Sequence, residues 1–332
     1  AVKARLNEAA DSLQRLADYA NGRGTLDGDT DTFDGLTLLK NRKNLWANDS
    51  AQLVDRMAAK SAAVQKAYED AMGEKYAYIG MLKIRNAAIT RFCREVAAHH
   101  GLRDASGVEI DAAAVLKAIA GGEITLTSNE FSRVRNITMW GDALADPNRR
   151  KTVALLERSH RTENVRGELW AQVPARLMKV KRNGNHDLQL GTRGEVGEFT
   201  YRFDLWDAYM AACTEYLGAV ASNVMYPSTG VGESCDPNDY RLAPSTVTEI
   251  YRRVLEYGAA ELGIDASIIT SVPGAATSHA HRHAVASFMV GHDELDLARR
   301  MLHHAGVDLL LRVYARSKRP KSASGVMAGL TA

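Results

Sequence analysis

SHAHRHAVASFMVG, residues 278–291, sets three histidines and an arginine within its first six positions and then turns into an apolar run. Read as a helix, His279 and Arg282 lie one turn apart on a common face, His283 shares that face at i+4, and His281 points elsewhere. His279 and His283 have the spacing of a helical zinc pair. No carboxylate or cysteine supports them nearby, however, and Arg282 would stand beside the ion as an uncompensated cation. Phosphate suits Arg282 better, because a guanidinium holds two phosphate oxygens through a rigid, permanently charged fork. A histidine one turn earlier can then manage a proton beside it. Taken alone, the stretch is equally readable as a helix start with satisfied histidines.

The rest of the sequence widens the choice and then narrows it. The chain has 332 residues, 45% hydrophobic and 25% charged, enough for two domains of average size with real cores. No apolar run of membrane-spanning length occurs. The first residues, AVKARLNEAADSLQRLADYANG, are amphipathic and contain acids, unlike a secretory signal, so the expectation is a soluble intracellular protein. Cys93, Cys213 and Cys235 are odd in number and widely spaced, which suits buried fillers better than a disulfide framework or a metal knuckle. Net charge is only +2, yet the cations cluster. NRRKTVALLERSHR (148–161) carries Arg149, Arg150, Lys151, Arg158 and Arg161 against one acid, Glu157. RLMKVKR (176–182) and ARSKRPK (315–321) contain no acid at all. Any one run is readable as a solvated face; three together suit a phosphate-facing surface equally well, with Arg149, Arg150, Lys151, Lys179 and Arg182 as its DNA-binding candidates.

Periodicity and breakers give the expected layout. Residues 1–45 hold a short amphipathic start and the Gly/Asp-rich loop NGRGTLDGDTDTFDG. A helix follows from a Ser50 cap to Gly73, with Leu53, Met57, Val64 and Tyr68 at helical spacing; a second ends at Gly101 and a third at Gly121-Gly122. That glycine pair is read as a hinge between an N-terminal helical domain, 1–122, and a second domain, 123–332, whose first helix is capped by Thr127 or Ser128. A helix through 151–158 is expected next. PARLMKVKRNGNHDLQL alternates around Asn183-Gly184 and predicts a hairpin, and EFTYRFDLW predicts another β-rich piece. LWDAYMAACTEYLGAVA returns to helix, Thr246 and Glu249 predict a capping box for the following helix, and HAHRHAVASFMVG and ELDLARRMLHHAG predict two more. The fold class is therefore mainly α with a small antiparallel β-sheet.

SHAHRHAVASFMVG followed by ARRMLHHAGVDLLLRVYAR resembles the last two boxes of the tyrosine recombinases, or phage-type integrases: HxxRH, an apolar helix, Leu-Gly-His, then a tyrosine nine or ten residues on. His279, Arg282 and His283 match the first box. Leu302-His303-His304 matches the second, with His303 where the family has glycine, and Tyr314 lies ten residues past His304. Upstream, YPSTGVGESCDPNDYRLAPSTVTEIYRRVLEYGAAELGI is similar to the segment that precedes HxxR. HRTENVRGELWAQV is similar to the first arginine box, with Arg161, Asn164 and Trp170 at its places. Residues 76–101 are similar to the core-binding domain, and ITLTSNEFSRV to the start of the catalytic domain; residues 1–45 match nothing in the pattern.

The resemblance implies a site-specific DNA recombinase needing no cofactor and no metal. Arg161 and Arg282 would hold the phosphate oxygens, His304 would add a hydrogen bond, and Tyr314 would attack with His279 as base. A lysine on a hairpin turn would protonate the departing 5′-oxygen. Lys181 fits that place best, with Lys179 and Arg193 as the other candidates. Implied partners are double-stranded DNA, a homotetramer on two DNA sites, and accessory DNA-bending proteins, with no membrane and a cytoplasmic, nucleoid-associated setting if the source is prokaryotic or a phage. The segment SKRPKSASGVMAGLTA is a candidate for exchange between neighbouring subunits. The competing readings are a DNA-binding protein of the same fold that no longer cuts, and a histidine-ligated metalloprotein.

Overall fold

The computed structural model describes residues 35–103, 107, 110–177, 185–195, 197, 200–218, 222–229, 240–302 and 313–314, with residues 35–51, 185 and 186 described by backbone alone. The chain divides into two compact units, Ala1–Arg56 and Met57–Ala332. The described part of the first unit belongs to a single helix, α1 (Gly35–Met72), which continues into the second. Everything below concerns the second unit.

Most described residues are helical, and several helix ends have a local cause. Gly73 ends α1 with φ of 71°, and Gly101 ends α2 (Ala77–His100) with φ of 64°, a left-handed backbone that glycine adopts without a Cβ clash. Asp111 caps α3 (Ala112–Ala120) by accepting from the Ala114 N–H at 2.7 Å. Thr127 and Glu130 form a reciprocal capping box at the start of α4 (Ser128–Ala145), so the expected Thr127 cap is present. A short α5 (Arg150–Ala154) follows. It is shorter than the helix expected through 158, because Arg158–His160 tighten into a 3-10 turn before the first strand.

Strands β1 (Arg161–Glu163), β2 (Glu168–Pro174) and β3 (Asn185–Thr192) make one antiparallel sheet in that order. Leu169, Ala171 and Val173 alternate inward on β2, with Ala171 opposite buried Leu188 on β3. The expected hairpin is present but shifted. Pro174 pairs with Asn185, so β2 lies upstream of the predicted strand, and Ala175–Leu177 form a 3-10 turn. EFTYRFDLW is not β-rich: Phe203–Trp206 open α6 (Phe203–Leu217). Buried Leu205 and Trp206, at the start of that helix, outweigh the β propensity of the aromatic run.

Helix α7 (Pro244–Glu261) also starts differently from expectation. Pro244 sits in its first turn, where its missing N–H costs nothing, and Glu249 pairs with Arg252 and Arg253 instead of capping with Thr246. After α8 (Ser267–Thr270) come α9 (Ser278–Gly291) and α10 (Leu295–Met301).

One apolar core joins these elements. Helix α2 packs on α4 and α7, and α3 on α6, so the junction expected at 122–123 falls inside the second unit. Trp140, Tyr68, Tyr209, Tyr251, Phe92 and Phe131 are among its largest fully buried side chains. The Trp140 indole N–H also donates to the Met81 carbonyl at 3.1 Å, fixing α4 against α2. Gly258 lets α7 meet α2: a Cβ there would lie 2.4 Å from the Ile84 carbonyl oxygen. Cys93 and Cys213 are buried fillers, as expected; Cys235 lies outside the described residues. No helix among the described residues is long and apolar enough to cross a membrane.

Candidate active site

The apolar half of SHAHRHAVASFMVG does what its pattern predicts. Ala280, Ala284, Val285 and Ala286 are fully buried in α9 and hold its histidine-bearing first turns against α4 and α7. Inward-facing His281 packs between Trp140 and Tyr251, with ring centroids 4.4 Å and 4.7 Å away. Burial pushes its imidazole down to about 4, so it is neutral near pH 7. The side chain is a core filler with a polar edge.

Arg282 emerges beside it and is buried, 7% exposed. Its two terminal nitrogens donate to backbone carbonyls, Nη1 to Pro147 at 2.6 Å and Nη2 to Leu302 at 2.7 Å. Burial, then the Arg149 charge, draws the guanidinium down to about 10, while Tyr314 and Asp146 pull the other way. Carbonyl dipoles orient the cation without cancelling its charge.

Three expected participants share this neighbourhood. Tyr314 is buried, 6% exposed, with its ring centroid 5.6 Å from that of His283. Burial raises its phenol, and Arg282 and Arg149 oppose the rise. His283 is pushed down to about 4 by burial and by His279, Arg282 and Lys60. Its buried Nδ1 has no hydrogen-bond partner among the described residues. His279 is exposed to solvent, and partial burial of its ring, together with Arg282, Arg149, Lys60 and Arg150, holds the imidazole below its usual value. The cluster therefore offers a phenol, two neutral imidazoles and several cations.

Arg161 behaves differently from expectation. Its Nη2 donates to Asp142 at 2.6 Å and Asp146 at 3.0 Å, in a site where its side chain is only 1% exposed. Asp142 also accepts from the Tyr226 hydroxyl at 2.8 Å. Burial works against the Arg161 charge, but the two carboxylates outweigh it and raise the guanidinium above its ordinary value. Two acids match its charge here, and its Nη1 donates to the His160 carbonyl at 3.2 Å. Asn164 and Trp170, its companions in the motif, do turn work. Asn164 Oδ1 accepts from the N–H groups of Arg166 and Glu168, and Trp170 sits part-buried in β2.

The cation that faces the cluster instead is Arg149. It is half-buried, has no carboxylate within ion-pair distance among the described residues, and its field acts on His279, Arg282 and Tyr314 together. Sequence reading assigned it only to general DNA binding.

Its position comes from the turn Asp146-Pro147-Asn148 between α4 and α5, in which the Asn148 N–H bonds the Asp146 carbonyl at 2.7 Å. The residue before a proline is pushed to extended backbone, and Asp146 has φ of −132° and ψ of 80°. One short segment therefore serves three purposes: the Asp146 carboxylate holds Arg161, the Pro147 carbonyl holds Arg282, and Arg149 is presented at the N-cap of α5. The signal was present in the sequence as a turn-forming Asp-Pro-Asn ahead of a basic helix start.

Among the other basic candidates, Arg150 and Lys151 are exposed on α5. Arg193 is tied to Glu163 and to Asp207, the latter at 2.6 Å, so it is neutralised at the sheet and does not suit the lysine's place. Lys179, Lys181, Arg182, His304 and the segment 315–332 lie outside the described residues. Away from this cluster, His99, His100 and Glu130 bring three potential ligand atoms within 4.8 Å of one another. The Glu130 carboxylate there is already engaged by Thr127 and by His99 at 2.9 Å. Comparisons with protein-family models and with curated proteins find no match for the chain.

Proposed function

We propose that the chain is a site-specific DNA recombinase that cuts and rejoins strands through a 3′-phosphotyrosine intermediate, as its resemblance to the tyrosine recombinases implies. The observation that carries the reading is the gathering of Tyr314, Arg282 and Arg149 with two imidazoles, in a place where Arg282 is held by carbonyls and not by carboxylates. A phosphodiester brings one negative charge and gains a second in its pentavalent transition state, and fixed cations at the non-bridging oxygens stabilise it.

Arg282 and Arg149 take that role, and Arg161 braces the wall behind them. The Tyr314 oxygen forms the new bond to phosphorus while the 5′-oxygen bond breaks; His279 accepts the phenolic proton, and His283 orients the tyrosine ring. Lys181 donates a proton to the departing 5′-oxygen, and His304 hydrogen-bonds the phosphate. A 5′-hydroxyl from the partner strand then attacks the phosphotyrosine, restoring the phenol. Double-stranded DNA is the substrate, a tetramer on two sites the working form, and Arg149, Arg150, Lys151, Lys179 and Arg182 line the approach.

The test is incubation of the full chain and of Tyr314→Phe with nicked candidate-site DNA. A covalent protein–DNA adduct with the wild type alone supports the reading. Binding without an adduct in either protein supports a DNA-binding protein that does not cut, and an adduct in both removes Tyr314 from the mechanism.

A further inference from the structure

A third buried arginine has no task in the mechanism above. Arg85, on α2, is 4% exposed, and no carboxylate lies within ion-pair distance of it among the described residues. Its Nε and Nη2 both donate to a single neutral acceptor, the Asn86 side-chain oxygen, at 3.2 and 3.1 Å. Nη1 has no acceptor among the described residues. The nearby acids are committed elsewhere: Asp204 pairs with Arg202 at 2.6 Å, and Asp142 with Arg161. Burial, then the neighbouring Arg202 charge, draws the Arg85 guanidinium down to about 10, against weaker help from Tyr78, Asp204 and Tyr201. An isolated buried cation is costly, and proteins keep one where something pairs with it.

Arg85 lines a pocket of about 190 Å³. Leu144, Leu190, Met289 and Met301 supply apolar wall, and Arg85, Gln189, Thr200 and Tyr201 supply polar groups, Arg85 the one charge among them. A cavity of about 150 Å³ accepts a benzene ring, so this one has room for a ring or a short chain carrying one acidic group. An apolar body with one placed charge is the usual character of a small-ligand site. We propose that this pocket binds a small organic monocarboxylate, its apolar body between β3, α4 and α10 and its carboxylate on Arg85. The assignment is independent of the DNA chemistry. The pocket does abut it, because Met301 precedes Leu302, whose carbonyl holds Arg282.

The experiment is calorimetric titration of the full chain with benzoate and with uncharged benzyl alcohol. Wild type is expected to bind one benzoate per chain and to bind benzyl alcohol about tenfold or more weakly, the difference a charge-assisted pair supplies. Arg85→Met is expected to lose the preference for benzoate while melting no lower than wild type, since it removes an unmatched buried charge. Ala145→Phe, which fills the pocket from the end of α4, is expected to lose both ligands. Equal binding of the two probes, binding of neither by the wild type, or undiminished benzoate binding by Arg85→Met overturns the assignment. If Arg85→Met does not fold, Ala145→Phe decides: retained benzoate binding overturns the proposal, and loss of it supports the proposal.

Discussion

Arg161 and Arg282 are both buried, both tied to the segment 146–147, and arranged for opposite ends. Arg161 meets two carboxylates and the His160 carbonyl; Arg282 meets two carbonyls and no carboxylate within ion-pair distance among the described residues. Both frames hold a guanidinium still, but only the second leaves its charge unspent. Burial and fixed geometry therefore do not identify a phosphate-binding arginine. On the proposed mechanism, the distinguishing feature is the kind of acceptor that holds it.

The largest effects should separate the two arginines. On the proposed mechanism, Arg282→Met takes away a cation that would face the developing charge and should lower adduct formation on nicked DNA by roughly a hundredfold or more, with a smaller loss of stability than Arg161→Met. Arg161→Met strands two aspartates in the core and should cost about 3–5 kcal/mol, read by urea unfolding. If Arg161→Met kept wild-type stability and lost only cleavage, the contrast between the two arginines would be wrong.

A second difference of the same kind should appear with pH. His281 has a folded value near 4 against about 6.5 unfolded, so the unfolded chain binds the extra proton. Its stabilising contribution is present above pH 6.5 and is lost as pH falls toward 4, by on the order of 3 kcal/mol. Replacing His281 with Phe should flatten that part of the pH–stability curve and leave adduct formation at neutral pH in place; an unchanged curve would count against a neutral, core-packed His281. Arg149→Gln should weaken adduct formation about tenfold with stability changed by less than about 1 kcal/mol, because its side chain is half-exposed and unpaired. The smallest effect belongs to Arg150→Ala and Lys151→Ala. Each should weaken DNA binding across sequences and reduce the slope of log affinity against log salt by about one.

Much of this was legible in the sequence. The helices ending at Gly73, Gly101 and Gly121, the Thr127 cap and the helix over 278–291 follow from local rules, and the structure has them. The failures share a cause. EFTYRFDLW is aromatic enough for a strand, but Leu205 and Trp206 are wanted in the core of a helix. Thr246 and Glu249 have the spacing of a capping box, but Pro244 starts the helix two residues earlier. The role of Arg161 was hidden because its partners lie 15 and 19 residues upstream, on elements whose meeting no local pattern announces. Arg149 was visible only as one charge in a run; the turn that singles it out becomes informative once Pro147 is known to face Arg282.

That turn also sets how the gene can change. Successive residues from Asp146 to Arg149 serve the brace, the arginine hold and the half-buried cation, so adding or deleting a residue there would shift all three at once. The reverse turn Asn164–Gly167 is closed mainly by bonds within itself, with one outside tie from the Arg193 N–H to the Gly167 carbonyl at 2.8 Å. Length variation among natural or engineered versions of this chain should accumulate in that second turn and be absent from the first.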